Sequence, residues 1–338
     1  MYTIAQERET ATLPIGAPTA TRRHLLDVEN WTPEELASLL ASAEEMRRIR
    51  QRGEKLSVLR GHVLVNLFYE NSTRTRVSFE LAGRALGADI TNVTASASSV
   101  TKGESLIDTG RTLQALGVTI FVIRSGQSGA PDLLARHVAG HVFNAGDGWH
   151  AHPSQALLDL FTLTRHLGDV AGRRIVILGD ILHSRVARSN IWALTAMGAE
   201  VVLCGPPTLL PPEAVALYTT RPVPGTGACR RVVVETNPER ALRGADAVMA
   251  LRLQKERQQS GLLPSLREYG RVYGLTTQRL ALALPGALVL HPGPMNEGVE
   301  IEPAVASSAH SVIEEQVENG VAVRMAALAR LAGAEVSA

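Results

Sequence analysis

The sequence predicts an α/β protein of two domains, each a parallel sheet flanked by helices, joined by interdomain helices. Three observations carry this. The chain has 338 residues, whereas one domain takes roughly 100 to 200. Short, almost wholly apolar runs alternate with stretches of helical periodicity, the pattern of strands buried on both faces by crossover helices. That alternation proceeds through the first half of the chain and then starts again. Hydrophobic residues make up 45% and charged residues 20%, a composition able to build a sizeable core.

Residues 1–20 are polar and unpatterned and read as a flexible tail. Thr32, Pro33 and Glu35 form a helix start, with Thr32 as N-cap and Glu35 closing a capping box, and the helix runs to about Arg50. Residues 62–68 are the first strand and 75–86 the helix after it. Further strands are expected at 88–93, 118–124 and 141–145, with helical patterns between them. The long amphipathic stretch Pro153–Leu167 reads as a helix bridging the two sheets. Strands at 174–178 and 200–204 then flank a helix over 185–197, and 245–251 and 287–291 add two more strands. A last helix spans 308–331. The valine-rich strands are read as core. The implied division places the first domain at 21–158, the second at 159–307, and a C-terminal helix at 308–338 packing back on the first.

Composition narrows the function classes. Lys plus Arg is 34 against 33 for Asp plus Glu, a net charge of +1, and aromatic residues are 4%. Nothing there suits general nucleic-acid binding. Cys204 and Cys229 are too few for a disulfide framework or a four-thiolate metal site. The N-terminal segment has no basic start followed by an apolar run, and no stretch approaches about 18 uninterrupted apolar residues. A soluble, cytoplasmic chain with no membrane partner is expected. Only three lysines occur, Lys55, Lys102 and Lys255. A chain that otherwise uses Arg keeps Lys where a compact ammonium is wanted, and Lys55 reads as an exposed survivor.

The strongest chemical feature is Phe68-Tyr69-Glu70-Asn71-Ser72-Thr73-Arg74-Thr75-Arg76, between a strand and a helix. Hydroxyls and backbone N–H groups at a helix N-terminus, joined by arginine, suit phosphate. The same residues also read as an ordinary Ser/Thr cap beside two solvent-facing arginines. The Gly-x-x-x-x-Gly-Lys-Ser/Thr pattern is absent, and residues 175–180 lack the Gly-x-Gly-x-x-Gly turn of a dinucleotide site. His150 and His152 without a carboxylate cluster are thin grounds for a metal, so none is expected; His152 is the functional one and His150 an exposed neighbour. Arg22-Arg23, Arg47-Arg48 and Arg230-Arg231 read as surface pairs.

The order of these segments resembles the aspartate/ornithine carbamoyltransferase family. Ser72–Arg76 is similar to its carbamoyl-phosphate signature, Ser98–Ser105 to its mobile loop, Val122–Arg124 to its arginine strand and Asn144–Thr162 to its most characteristic helix start. Late in the chain, His291-Pro292-Gly293-Pro294 replaces the His-Cys-Leu-Pro of the ornithine branch. Together with Lys102 and the segment 251–257 it resembles the aspartate branch. The chemistry agrees, since aspartate's two carboxylates suit two guanidinium forks and an ammonium, a set that repels ornithine's side-chain cation.

The resemblance implies transfer of the carbamoyl group of carbamoyl phosphate to the amine of L-aspartate, within pyrimidine (UMP) synthesis. Residues 21–158 would bind carbamoyl phosphate and 159–307 aspartate. Ser72, Thr73, Arg74, Thr75 and Arg124 would hold the phosphate, while Thr75, Arg124 and His152 converge on the carbonyl oxygen. Gln155 and the backbone of Pro292 and Gly293, in the loop closed by Pro294, would receive the carbamoyl NH₂. Arg185 would take one aspartate carboxylate, Arg252 the other, and Gln254 would orient the amine side, with Lys255 secondary. Ser98 and Lys102 would enter from a neighbouring subunit, Ser98 to the carbamoyl phosphate and Lys102 to aspartate, which implies a homotrimer with shared sites. The implied mechanism is direct acyl transfer needing no cofactor, metal or covalent intermediate. Gly293 stands where a bulkier residue is often found, and a more mobile loop is expected there. The stretch 182–190 looks more like the branch that associates with dihydroorotase, and whether that enzyme or a regulatory chain binds stays open. The alternatives are a carbamoyltransferase for ornithine or a related amine, and a non-catalytic scaffold of a pyrimidine-pathway complex. Arg185, Arg252 and Lys102 argue against the first. The intact set Arg74, Lys102, Arg124, His152 and Arg252 argues against the second.

Overall fold

The computed structural model describes residues 22–94, 104–210, 212–253 and 265–333; Ser98, Lys102, Gln254 and Lys255 lie outside them. Helix α1 (Pro33–Gln51) opens with the expected capping box, in which Thr32 Oγ1 accepts the Glu35 N–H at 3.2 Å and the Glu35 carboxylate accepts the Thr32 N–H at 2.9 Å. The first half continues as β1 (Val63–Phe68), α2 (Thr73–Ala85), β2 (Asp89–Thr94), α3 (Leu106–Ala115), β3 (Ile120–Ser125), α4 (Ala130–Ala135) and β4 (His141–Asp147). Helix α5 (Pro153–Leu167) crosses to the second half. There the order is β5 (Arg174–Leu178), α6 (Arg185–Ala196), β6 (Glu200–Cys204), α7 (Pro212–Thr220), β7 (Arg231–Glu235), α8 (Pro238–Leu242) and β8 (Ala247–Ala250). The chain then forms α9 (Leu266–Tyr273), α10 (Thr277–Leu280), β9 (Leu288–Leu290), α11 (Pro303–Ala306) and α12 (Ile313–Leu331).

Among the described residues the strands form a four-stranded sheet in the order β2-β1-β3-β4 and a five-stranded sheet in the order β7-β6-β5-β8-β9, and every pair is parallel. Period-two alternation sends β-strand side chains into different cores. Leu64 and Phe68 of β1 and Ile175 and Ile177 of β5 face one continuous core shared by both sheets. Val65 and Leu67 face a second core under α4, and Val176 and Leu178 a third under α8 and α10. The shared core is filled by α5 and by α12, which returns to pack on α1, α2 and α5.

Four features depart from the sequence reading. Helix α2 begins at Thr73, so Thr73, Arg74 and Thr75 make up its first turn. Helix α12 begins at Ile313 and not at 308, because residues 310–312 run beside β9: Val289 N–H donates to His310 O at 2.8 Å and Val312 N–H to Val289 O at 3.0 Å. Strand β7, unforeseen, is a sheet edge on which Val233 and Val234 are 41% and 39% exposed, so these valines are not core. Arg230 is no surface residue. It is 4% exposed, donates to Trp192 O at 3.0 Å and Thr195 Oγ1 at 2.8 Å, and lies over the Trp192 ring.

Candidate active site

In an open parallel sheet, neighbouring strands whose connections run to opposite sides leave a crevice at their carboxyl ends. The first sheet has this switch between β1 and β3, the second between β5 and β8. The carboxyl ends of both pairs open onto one cavity of about 790 Å³. Residues 70–75 after β1 and Arg124 at the end of β3 enter it from the first sheet, with His152 and Gln155 from the start of α5. Arg185, Arg252 and residues 291–294 enter from the second. Every sequence-predicted site residue that is described therefore lines this space.

The first turn of α2 is built for an anion. Its N-cap, Ser72, spends its hydroxyl on Thr75 Oγ1 at 3.0 Å and makes no side-chain cap, and no acidic residue occupies the first turn. The helix-terminal N–H groups and the positive end of the dipole thus meet the cavity without an internal anion. Arg74 lies against the loop after β9. A Cβ on Gly293, whose φ is +62°, would stand 1.5 Å from Arg74 Nη1, so glycine here makes room for the guanidinium. The loop is tied down and not loose: Gly293 N–H donates to His291 Nδ1 at 2.8 Å and His291 N–H to Gln316 Oε1 at 2.9 Å. Burial, with Arg74 and Arg252 nearby, pushes His291 down to about 3, so it is a neutral acceptor at Nδ1.

Glu70 joins the two sheets, a role the sequence reading missed. Its carboxylate accepts from Arg124 Nη2 at 2.9 Å and from Arg185 Nη2 and Nη1 at 2.8 and 3.1 Å. The two guanidinium groups converge on Gly146 (φ +116°), where a Cβ would come within 3.0 Å of Arg185 and 3.1 Å of Arg124. Arg124 Nη1 also donates to Ala145 O at 3.1 Å and stands 3.5 Å from His152 Nε2. The His152 N–H donates to Ser189 Oγ at 2.9 Å, which fixes the start of α5 against α6.

On the second sheet, Asp180 and His183 shape the turn leading to Arg185. The carboxylate meets His183 Nδ1 at 2.9 Å, and the ring is edge-on to Trp149 in the cavity wall. Arg252 is held by its neighbour: the buried Glu300 accepts the Leu253 N–H at 2.7 Å and the Asn296 N–H at 2.8 Å. Gln316 and Arg324 of the cavity wall and Asp159 behind it are buried polar groups that sequence reasoning passed over. Among the described residues no three His, Cys, Asp or Glu side chains gather as a metal cluster. His150, largely exposed, pairs with Asp147 at 3.0 Å.

Two family models match the chain: the carbamoyl-phosphate-binding domain of aspartate/ornithine carbamoyltransferases over residues 23–165, and the aspartate/ornithine-binding domain over 171–331. The chain belongs to the aspartate/ornithine carbamoyltransferase family. A relative named aspartate carbamoyltransferase catalytic subunit, from Chloroflexus aurantiacus, is 58% identical over 93% of this chain and all of the relative. One of the same name from Roseiflexus castenholzii is 56% identical over 94% of this chain and 98% of its own length. Among solved structures, aspartate transcarbamoylase from Trypanosoma cruzi, in complex with carbamoyl aspartate and phosphate, superposes with a TM-score of 0.82 at 28% identity, covering 95% of this chain and 99% of that one. Ornithine carbamoyltransferase from Pyrococcus furiosus gives 0.83 at 27%, covering 93% and 98%. The fold thus serves both branches.

Proposed function

We propose that this chain is an aspartate carbamoyltransferase, moving the carbamoyl group of carbamoyl phosphate to the amine of L-aspartate to give N-carbamoyl-L-aspartate and phosphate. One observation carries the reading: a single cavity joins the anion-binding first turn of α2 to two arginines, Arg185 and Arg252, on the other sheet. The high identity to relatives of that name supports the aspartate branch.

Residues 72–75 and Arg124 hold the phosphate, with N–H, hydroxyl and guanidinium donors around its oxygens. The carbonyl oxygen lies toward Thr75, Arg124 and His152, which stabilise the charge that builds as the amine attacks. Gln155 and the carbonyls of Pro292 and Gly293 accept from the carbamoyl NH₂, and Pro294 closes that loop. Arg185 and Arg252 take one aspartate carboxylate each, and Gln254 orients the amine side. A guanidinium has five N–H groups, so Arg185 binds a substrate carboxylate while Glu70 keeps hold of it. Attack at the carbonyl carbon forms the new C–N bond, phosphate leaves with the electron pair of the broken C–O bond, and the amine's proton passes to the departing phosphate. Held in this geometry, the acceleration comes from positioning and oxyanion stabilisation.

The same reading divides the chain into a carbamoyl-phosphate part, 21–158, an aspartate part, 159–307, and a returning C-terminal segment, 308–338. It also takes the working form to be a cytoplasmic homotrimer in pyrimidine synthesis, with Ser98 and Lys102 entering from a neighbouring subunit; sedimentation should give the mass of three chains. The substrate reading is tested by calorimetry in the presence of carbamoyl phosphate. Succinate, which has both carboxylates and no amine, should bind, and ornithine should not. Binding of ornithine in its place would sink the proposal.

A further inference from the structure

We infer that Asp159 is a positioning residue for the carbamoyl amine: its carboxylate orients Gln155 directly, and the 291–293 turn through Gln316, so that Gln155 Oε1 and the turn's backbone carbonyls are the groups offered to the amine. The inference rests on the reading above that carbamoyl phosphate binds here.

Asp159 lies one helical turn after Gln155 on α5 and is fully buried. Its Oδ1 accepts from Gln155 Nε2 at 2.9 Å and Gln316 Nε2 at 2.7 Å, and its Oδ2 from Asn190 Nδ2 at 2.8 Å. A carboxylate only accepts, so each amide must turn its NH₂ toward it. For Gln155, which lines the cavity, this leaves Oε1 as the group available to a ligand. For Gln316, Oε1 is left for the His291 N–H at 2.9 Å, and His291 Nδ1 in turn takes the Gly293 N–H at 2.8 Å. Pro292 has no N–H, so both backbone donors of this turn are consumed inward and its carbonyls remain. One buried carboxylate therefore sets the polarity of both walls that meet the amine. The charged group facing it is Arg324 of α12, itself buried and donating to Ser78 Oγ at 2.9 Å and Ser154 Oγ at 3.4 Å. Burial raises the Asp159 carboxyl to about 6, which leaves it an anion at neutral pH. With an amide in its place, one oxygen is left to serve three donating amides, and Gln155 can flip and present NH₂ to NH₂.

A methyl group in place of the amine reads this out. Dissociation constants of carbamoyl phosphate, acetyl phosphate and inorganic phosphate are to be measured on the full chain and on Asp159→Asn. The wild type is expected to prefer carbamoyl over acetyl phosphate, and D159N to lose about tenfold of that preference, the size of one well-made hydrogen bond. Inorganic phosphate should keep its affinity in the variant to within about twofold, well under one hydrogen bond. Gln316→Leu, which cuts only the limb to His291, should lose part of the preference, and it carries the test if D159N does not fold. An unchanged preference in the folded variants overturns the inference. So does an equal loss for all three ligands, the mark of a merely structural role. A wild type that binds inorganic phosphate and not carbamoyl phosphate overturns the substrate reading beneath it, whereas one that binds both acyl phosphates equally overturns the inference alone.

Discussion

Glu70→Gln should weaken aspartate capture more than it weakens the fold. The carboxylate takes three N–H donors, one from Arg124 and two from Arg185, and Arg185 is only 2% exposed. Glutamine keeps one acceptor and turns an NH₂ toward a guanidinium, so one charge-assisted bond becomes a donor–donor contact. Such bonds contribute about 1.5–3 kcal/mol. Glu70 is 26% exposed, so water recovers part of that and the lower end applies, which corresponds to about tenfold. The guanidinium groups keep their backbone ties to Ala145 O and Gly148 O, so the fold should survive. Steady-state kinetics with aspartate varied at saturating carbamoyl phosphate should show kcat/KM down about tenfold. Succinate, held by the same arginines, should raise the melting temperature of the variant less than that of the wild type. A kcat/KM for aspartate within about twofold of wild type, less than one hydrogen bond, would refute the bridging role.

Other expectations follow from the same geometry. Arg252→Ala should raise the KM for aspartate by about 10²-fold, the loss expected for a bidentate carboxylate contact, with little change in carbamoyl phosphate affinity. Gly293→Ala forces a side chain into left-handed backbone and into Arg74, so carbamoyl phosphate binding should weaken about tenfold. Combined with Arg74→Ala it should add little, because both act on one contact. The raised Asp159 carboxyl means that the native state binds a proton more tightly than the unfolded chain between about pH 4 and 6, so stability falls as pH rises through that window. In urea unfolding, D159N should lack that slope, which for this shift amounts to at most about 3 kcal/mol. Arg230→Met removes two buried bonds from a cation, to Trp192 O and Thr195 Oγ1, and should lower stability in urea by about 1–3 kcal/mol while activity per folded molecule is kept.

The sheets were legible because buried parallel strands are short apolar runs, and Arg174–Leu178 and Glu200–Cys204 match their expected bounds. Strand β7 escaped because a sheet edge needs no apolar run: it begins at an exposed arginine and shows two valines to solvent. The phosphate motif was legible since its chemistry is local to one strand–helix turn. Glu70 stood inside that motif, yet its partner Arg185 lies 115 residues away, and only the placement of the second sheet reveals the bridge. Asp159 left a faint signal: with Gln155 it is a polar pair at i and i+4 in the buried stretch of a helix whose first eleven residues are all buried. Arg230 was misread because a charged dipeptide looks solvated until the Trp192 ring covers it.

The most direct test of the account is a product assay on the purified full chain supplied with carbamoyl phosphate and either L-aspartate or L-ornithine. Carbamoyl-aspartate should form, carbamoyl-ornithine should not, and His152→Ala should reduce the rate by roughly 10²-fold or more, as loss of an oxyanion donor does. Turnover with ornithine, or binding of carbamoyl phosphate without turnover of either amine, would contradict it.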